Sequence, residues 1–252
     1  MSKVLLAAMM CIAVAARAGG MFAAFFSRDL DGDGRDEAVS FQADSDHMGG
    51  ACCSFAITVD GVRYPHHGVG IVRPAFVVDI DSTDTYHEIA VEEYGPSDDD
   101  ATYLFRYDHG ALVEIGELPG RQRNGVGDLV IDGSGVITGR CRGNLLQTWF
   151  YPCRFQVGTD GRLEQEREQW HPVRTPLTVL QPIDLRAAPD DGRVVARLRP
   201  GDKVTLVASD DERWSMIEFA DGQRGWFEVS NIDILPDGRR AGEVFEGFVI
   251  AD

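Results

Sequence analysis

The run Asp29-Leu30-Asp31-Gly32-Asp33-Gly34-Arg35-Asp36-Glu37 sets carboxylates at alternating positions on a glycine-containing loop. A hard divalent cation such as Ca²⁺ takes roughly six to eight oxygen ligands, and alternating aspartates on a tight turn converge on one point. Counted from Asp29, the side chains of Asp29, Asp31 and Asp33 fall at positions one, three and five. Gly34 permits the sharp turn, Arg35 offers its backbone carbonyl, and Glu37 closes the shell. Carboxylates crowded in this way repel one another unless a cation sits among them. The competing reading is a solvated Asp/Gly turn with no ion.

An EF-hand loop would need a bidentate Glu at position twelve, followed by a helix. Position twelve is Ser40, inside Ala38-Val39-Ser40-Phe41, which reads as a strand. The loop therefore resembles the calcium loops of integrin alpha-type FG-GAP and VCBS repeats, in which D-x-D-x-D-G-x-x-[DE] leads directly into a β-strand. That resemblance implies Asp29, Asp31, Asp33 and Glu37 as side-chain ligands and Arg35 as a carbonyl ligand of Ca²⁺. A second run, Asp79-Ile80-Asp81-Ser82-Thr83-Asp84-Thr85-Tyr86-His87-Glu88, begins 50 residues later but has an extra residue and no glycine at the turn. It either gathers Asp79, Asp81, Asp84 and Glu88 around a second ion or is a vestigial repeat. A weaker echo begins near Asp128.

The elements that must position these residues read as strands. Short apolar or alternating runs recur at 38–41, 55–59, 76–80, 89–93, 103–107 and 112–115. Asp60-Gly61, Asp108-His109-Gly110, Asp160-Gly161 and Asp221-Gly222 carry hairpin chemistry, because glycine accepts the positive φ of a tight turn. The expected class is all-β. A spacing near 50 is blade-like, but about 150 residues fall short of a closed propeller, so two or three repeat-like units are expected.

From Leu177 the pattern changes to five short strands in a compact stretch, with Leu185-Arg186-Ala187-Ala188-Pro189, Leu198-Arg199-Pro200-Gly201-Asp202-Lys203-Val204 and Gly225-Trp226-Phe227. These features resemble the bacterial SH3-like (SH3b) domain, which implies a small closed β-barrel and a peptidoglycan-peptide or envelope-protein ligand. Trp214 and Trp226 are the candidate ligand-binding residues; Trp226 is expected to pack against the barrel and Trp214 to lie nearer the surface. The apolar stretch Glu243–Ile250 is expected to dock back, an intermolecular strand being the alternative. The expected organisation is a signal segment at 1–18, an FG-GAP/VCBS-like domain at 19–173, an SH3-like domain at 174–232 and a docking segment at 233–252. The boundary rests on the two prolines of His171-Pro172-Val173-Arg174-Thr175-Pro176.

Residues 1–18 carry the secretory pattern: Lys3, an apolar core from Val4 to Ala16, and Ala16-Arg17-Ala18 at the cleavage position. A buried N-terminal helix is the alternative. Export to the periplasm, envelope or medium makes disulfides expected among Cys52, Cys53, Cys141 and Cys153, with the connectivity open and a zinc site as the competing reading. The 252-residue chain is acidic, 41 Asp and Glu against 24 Lys and Arg. A field of that sign disfavours nucleic acid and anionic lipid as partners. No nucleophile elbow, P-loop or H-E-x-x-H occurs, and the adjacent His66 and His67 of a strand point to opposite faces. The expectation is therefore an exported, non-catalytic calcium-binding module for a cell-envelope or extracellular ligand, without a transmembrane segment once the signal is removed. A cell-wall hydrolase accessory protein or inhibitor, and a structural subunit assembling through its C-terminal strand, are the alternatives.

Overall fold

A computed structural model describes residues 16–18, 21–45, 51–68, 70–95, 99–122 and 129–249. Strand makes up 58% and helix 3%, so the all-β class is what forms, and it includes a half-barrel sheet. The signal segment lies outside the described residues apart from Ala16–Ala18, the first strand.

The first sheet is an antiparallel meander of β1 (Ala16–Ala18), β2 (Met21–Arg28), β3 (Glu37–Ser45), β4 (Ala51–Val59) and β5 (Val62–His67). Val39, Phe41 and Ala43 alternate inward along β3 and are buried. Between β4 and β5, Asp60 and Gly61 both have positive φ (46° and 86°), the geometry of a two-residue hairpin turn.

The second sheet contains β6 (Ile71–Val72), β7 (Phe76–Val78), β8 (Glu88–Tyr94), β9 (Ala101–Asp108) and β10 (Ala111–Pro119). β6 and β7 both pair with β8 and act as one strand interrupted around Pro74. β11 (Leu129–Val130), β12 (Ile137–Gly143), β13 (Trp149–Val157) and β14 (Leu163–Gln165) form the third sheet in chain order. These three sheets share one plan, a strand, an Asp-containing loop and a second strand: 29–36, 79–87 and 131–136 join β2 to β3, β7 to β8 and β11 to β12.

The chain divides into two compact units within β12 and β13. One comprises Met1–Gly139 with Arg154–Gln165, the other Arg140–Cys153 with Glu166–Asp252. In the first unit Leu30, Phe41, Ile57, Ile89 and Phe105 are fully buried in one core. Each such side chain stabilises by about 1.5–3 kcal/mol on burial. Leu30 belongs to the aspartate loop itself, so hydrophobic burial anchors the loop before any ion does.

In the second unit, β15 (His171–Val179), β16 (Ile183–Arg186), β17 (Val194–Leu198), β18 (Lys203–Ser209), β19 (Trp214–Phe219), β20 (Gln223–Glu228), α1 (Ala241–Val244) and β21 (Phe245–Glu246) follow one another. The sheet order is β17-β16-β20-β19-β18-β15-β21. This path has two ends, so the closure expected of a barrel is corrected to an open seven-stranded sheet. The prolines at 172 and 176 lie within β15, while the division between the units falls nearby, between Gln165 and Glu166. β21 covers only Thr178 and Val179 of β15, leaving the edge beside Pro172 and Pro176 without a strand partner among the described residues, which is where a strand tolerates proline. Val244 and Phe245 fill the core beside Leu177, Leu206 and Phe227, and the Val249 N–H donates to Gln147 Oε1 at 3.1 Å. Cys141 and Cys153 form a disulfide that ties β12 to β13 within this unit. For a loop this short it contributes about 3 kcal/mol.

Candidate metal centre

The loop between β2 and β3 is built on side chain to backbone hydrogen bonds. Gly32 and Gly34 donate their N–H groups to the two carboxylate oxygens of Asp29, at 2.8 and 3.0 Å. Asp33 donates to Asp31 Oδ1 at 3.2 Å, and Arg35 donates to Asp33 Oδ1 at 2.8 Å. Glu37, at the start of β3, reaches back and accepts the Leu30 N–H at 2.8 Å. Gly32 has φ +74°, and a Cβ there would lie 2.3 Å from Thr85 Cβ in the second loop. Both the conformation and the close approach require glycine.

These contacts draw Asp29, Asp31 and Glu37 together, with ligand oxygens within 4.8 Å of one another. Asp31 and Glu37 are buried, at 7% and 4% exposure. Loss of hydration pushes the Glu37 carboxyl above its ordinary pKa; the Leu30 amide opposes this, while Asp31, Asp33 and Asp29 raise it further. Asp33 and Arg35 are exposed, and Asp33 lies outside the close group. Each hydrogen-bonded carboxylate oxygen keeps a second lone pair, so the donor set still fits a hard cation.

A neighbour that sequence reasoning did not attach to the loop is the β9–β10 turn. The His109 N–H donates to Asp31 Oδ2 at 3.0 Å, and Asp31, Asp108 and His109 form a second close group. His109 adopts positive φ (46°) to make this contact. Its hydrogen bond with Asp108, and then the Asp31 charge, hold its imidazole above the usual pKa.

The second loop repeats the scaffold. The Ile80 N–H donates to Glu88 Oε2 at 3.2 Å, as Leu30 does to Glu37. Thr83 donates its N–H to Asp81 Oδ1 at 3.0 Å, as Asp33 does to Asp31. The third loop keeps the same turn, with the Ser134 N–H on Asp132 Oδ1 at 3.2 Å. Successive loops are stitched in register: His87 donates to the Leu30 carbonyl at 3.0 Å, and Gly135 donates to the Ile80 carbonyl at 2.8 Å. The echo suspected near Asp128 therefore centres on Asp132, while Asp128 lies outside the described residues. The set Asp79, Asp81, Asp84 and Glu88 does not form a close carboxylate group like that of the first loop. Glu88 instead pairs with Arg106, through Nε at 3.1 Å and through Nη2.

A second polar constellation went unread in the sequence. Between β9 and β10, Glu114 lies opposite Phe105 but Gly116 lies opposite Leu104, so Ile115 is an extra residue. This bulge turns Glu114 and Glu117, three positions apart, to one face. His66 Nδ1 lies 3.2 Å from Glu114 Oε2, and the Tyr64 hydroxyl donates to the same oxygen at 3.1 Å. Tyr103 donates to buried Glu93 at 3.2 Å, as does the Gly70 N–H at 2.7 Å. His67 lies on the other face, against Ser54 Oγ at 3.2 Å. Glu114 is thus engaged by donors that tie β5 to the second sheet, and Glu93 by donors from β9 and from the segment before β6.

In the second unit Trp214 departs from its expected position nearer the surface, whereas Trp226 packs and is partly buried. Trp214 is 4% exposed, with the guanidinium groups of Arg186 and Arg213 at 5.3 and 5.4 Å from its ring. Trp226 is half-buried beside Trp170, ring centroids 4.3 Å apart. Register explains why: Trp214, Met216 and Trp226 share the face of β19 and β20 opposite the core residues Ile217 and Phe227, and the two arginines cover only Trp214. A cavity of about 470 Å³ lies elsewhere in this unit, with Ile183, Phe227 and Leu235 among its apolar lining. The arginines lining it are matched by acids: Arg197 with Asp184, Arg239 with Asp237, and Arg186 with Glu228. No protein-family model matches the chain, and no curated protein or solved structure matches it.

Proposed function

We propose that the chain is an exported, non-catalytic module that binds Ca²⁺ at the β2–β3 loop and an envelope or extracellular ligand through its β domains. The observation that carries the calcium half is the convergence of Asp29, Asp31 and Glu37 on a loop whose repeat-mate needs an arginine at the corresponding glutamate. Asp31 and Glu37 supply buried carboxylates and Asp29 a half-buried one, while Asp33 and the Arg35 carbonyl complete the shell from the solvent side. The FG-GAP/VCBS resemblance of the loop supports the choice of ion. The role of the ion is structural: neutralising the loop fixes the start of β3, and binding only the folded state stabilises by about 2.7 kcal/mol at a hundredfold excess over Kd.

The ligand half is assigned to the second unit, whose resemblance to SH3b domains is carried by Leu185–Pro189 and Gly225–Phe227. Its cavity, with apolar lining and matched charges of both signs, suits a zwitterionic peptide such as a wall peptide. Calorimetric titration of the full chain with Ca²⁺, alongside melting in calcium and in chelator, tests the first half. One bound ion and a raised Tm are expected, both abolished in Asp31→Asn. An absence of heat and of any Tm gain overturns it. Sedimentation with purified peptidoglycan, without release of soluble fragments, tests the second.

A further inference from the structure

A single row of side chains crosses the outer face of the second unit's sheet. Directly paired residues of an antiparallel sheet point to the same side. The pairs Pro172–Ala208, Ala208–Met216, Met216–Trp226, Trp226–Arg186 and Arg186–Val194 run from β15 through β18, β19, β20 and β16 to β17. Leu185, Ile217 and Phe227, each next in sequence to a member of the row, lie in the core on the opposite side. At about 4.8 Å per strand the row spans roughly 24 Å. Arg186 apart it is apolar, and Trp170 sits against Trp226 with ring centroids 4.3 Å apart. Trp170, Met216 and Trp226 are half-buried, while Pro172 and Val194 are exposed.

The flanks of the row are charged and balanced. Two residues to one side stand Glu228 and Asp184, held by Arg213 at 2.9 Å and Arg197 at 2.7 Å. Two residues to the other stands Glu218, held by Arg224 at 2.8 Å. Asp190 lies 3.4 Å from Arg213, and Arg186 lies 3.5 Å from Glu228. Arginines and carboxylates are therefore matched here, in a chain that is strongly acidic as a whole, and a charged partner gains no net field. A protein partner needs a broad interface core depleted of charge, whereas this stripe is one residue wide between ion pairs. An extended peptide docks on a sheet edge through its backbone. The row lies mid-sheet, where the backbones of β16, β20, β19 and β18 already pair with their neighbours.

From this we infer that the row is a binding track for an uncharged glycan strand, whose sugar rings lay their apolar faces on Trp226 and Trp170 while their hydroxyls meet the ion pairs on either flank. Indole offers a large, rigid apolar surface, and guanidinium and carboxylate groups supply the donors and acceptors that hydroxyls need. Val194 and Arg186 also line the cavity of this unit, so the track leads to it. The inference adds a second ligand chemistry to the wall-peptide cavity and rests on the same assignment of an envelope ligand to this unit. A sugar probe that carries no peptide makes the two readings fail separately.

The test titrates the full chain with chitohexaose and with cellohexaose, uncharged sugar oligomers, by calorimetry and by the indole N–H resonances of the labelled protein. Binding of at least one oligomer is expected, with the Trp170 and Trp226 resonances moving and that of buried Trp149 staying in place. Trp226→Ala and Trp170→Ala, in chains that still melt cooperatively, should each weaken binding about tenfold. Trp226→Phe should retain most of the affinity, and Asp237→Asn, in the cavity lining but off the row, should leave it unchanged. Absence of binding to both oligomers overturns the inference, as does wild-type affinity in both folded alanine variants or an equal loss in Asp237→Asn. A dimer in sedimentation that Trp226→Ala breaks also overturns it, since a second copy then covers the row. Should the alanine variants fail to fold, the wild-type resonances decide: sugar binding that leaves Trp170 and Trp226 unmoved overturns the inference.

Discussion

The first and second aspartate loops share a backbone and a glutamate anchor but differ in how charge is balanced. Around Glu37 the neighbours are Asp29, Asp31 and Asp33, and the carboxyl is pushed above its ordinary pKa by desolvation and repulsion. Around Glu88 desolvation raises the pKa, while the Arg106 hydrogen bonds and charge pull it back. The same local fold therefore sets its glutamate either beside an arginine or among carboxylates, depending on where the neighbouring strand ends. Charge balance here is a property of pairing register more than of loop sequence.

The comparison is broken hardest at Arg106. Replacing it with Met leaves Glu88 buried and unpaired, and a cost of about 3–5 kcal/mol is expected in urea unfolding with chelator present. The corresponding change in the first loop, Glu37→Gln, works in the other direction. It relieves repulsion in chelator but removes the calcium-induced gain of about 2.7 kcal/mol at a hundredfold excess over Kd, read as superposed melting curves with and without the ion. Gly32→Ala tests whether the loops lean on one another. Positive φ and the Thr85 contact should together cost about 1–3 kcal/mol, and adding Thr85→Gly, which removes the Cβ that a methyl at position 32 would meet, should recover only the steric share.

The smallest effect lies in the bulge cluster. Desolvation, followed by the Glu114 and Glu93 charges, raises the Glu117 carboxyl above 4.5. A raised acid favours the folded state below its unfolded pKa, and that contribution is lost as pH rises through the folded value. In chelator, Tm should therefore decline as pH climbs above the ordinary glutamate range. Glu117→Gln should flatten that decline, by no more than about 0.5 kcal/mol for so exposed a group. A steeper decline in the variant would contradict the assignment.

Much of the first loop was legible because its contacts are short in sequence: Asp29 reaches Gly32 and Gly34, and Asp31 reaches Asp33. The strands were legible for the same reason, as in the alternating Val39, Phe41 and Ala43. The roles of Arg106 and His109 were not, since each meets its loop only through strand pairing or a distant turn. Trp214 was misjudged because burial on the outer face of a sheet depends on which arginines fold over it. Pro172 and Pro176 suggested a domain boundary because proline resists a central strand, and nothing local says that β21 pairs only with Thr178 and Val179 and leaves them at an edge of β15.

The amino-acid sequence by itself determined the all-β class, the turns at Asp60-Gly61 and Asp108-His109-Gly110, and a loop with alternating carboxylates, because each follows from steric or charge preferences within a few residues. Only the tertiary structure decided that Asp29, Asp31 and Glu37 converge while Asp79, Asp81 and Glu88 do not. It also decided that Cys141 pairs with Cys153 and that an arginine 18 residues away neutralises Glu88. The physical reason is that electrostatic balance in a buried site is set by whatever side chain the next strand brings alongside.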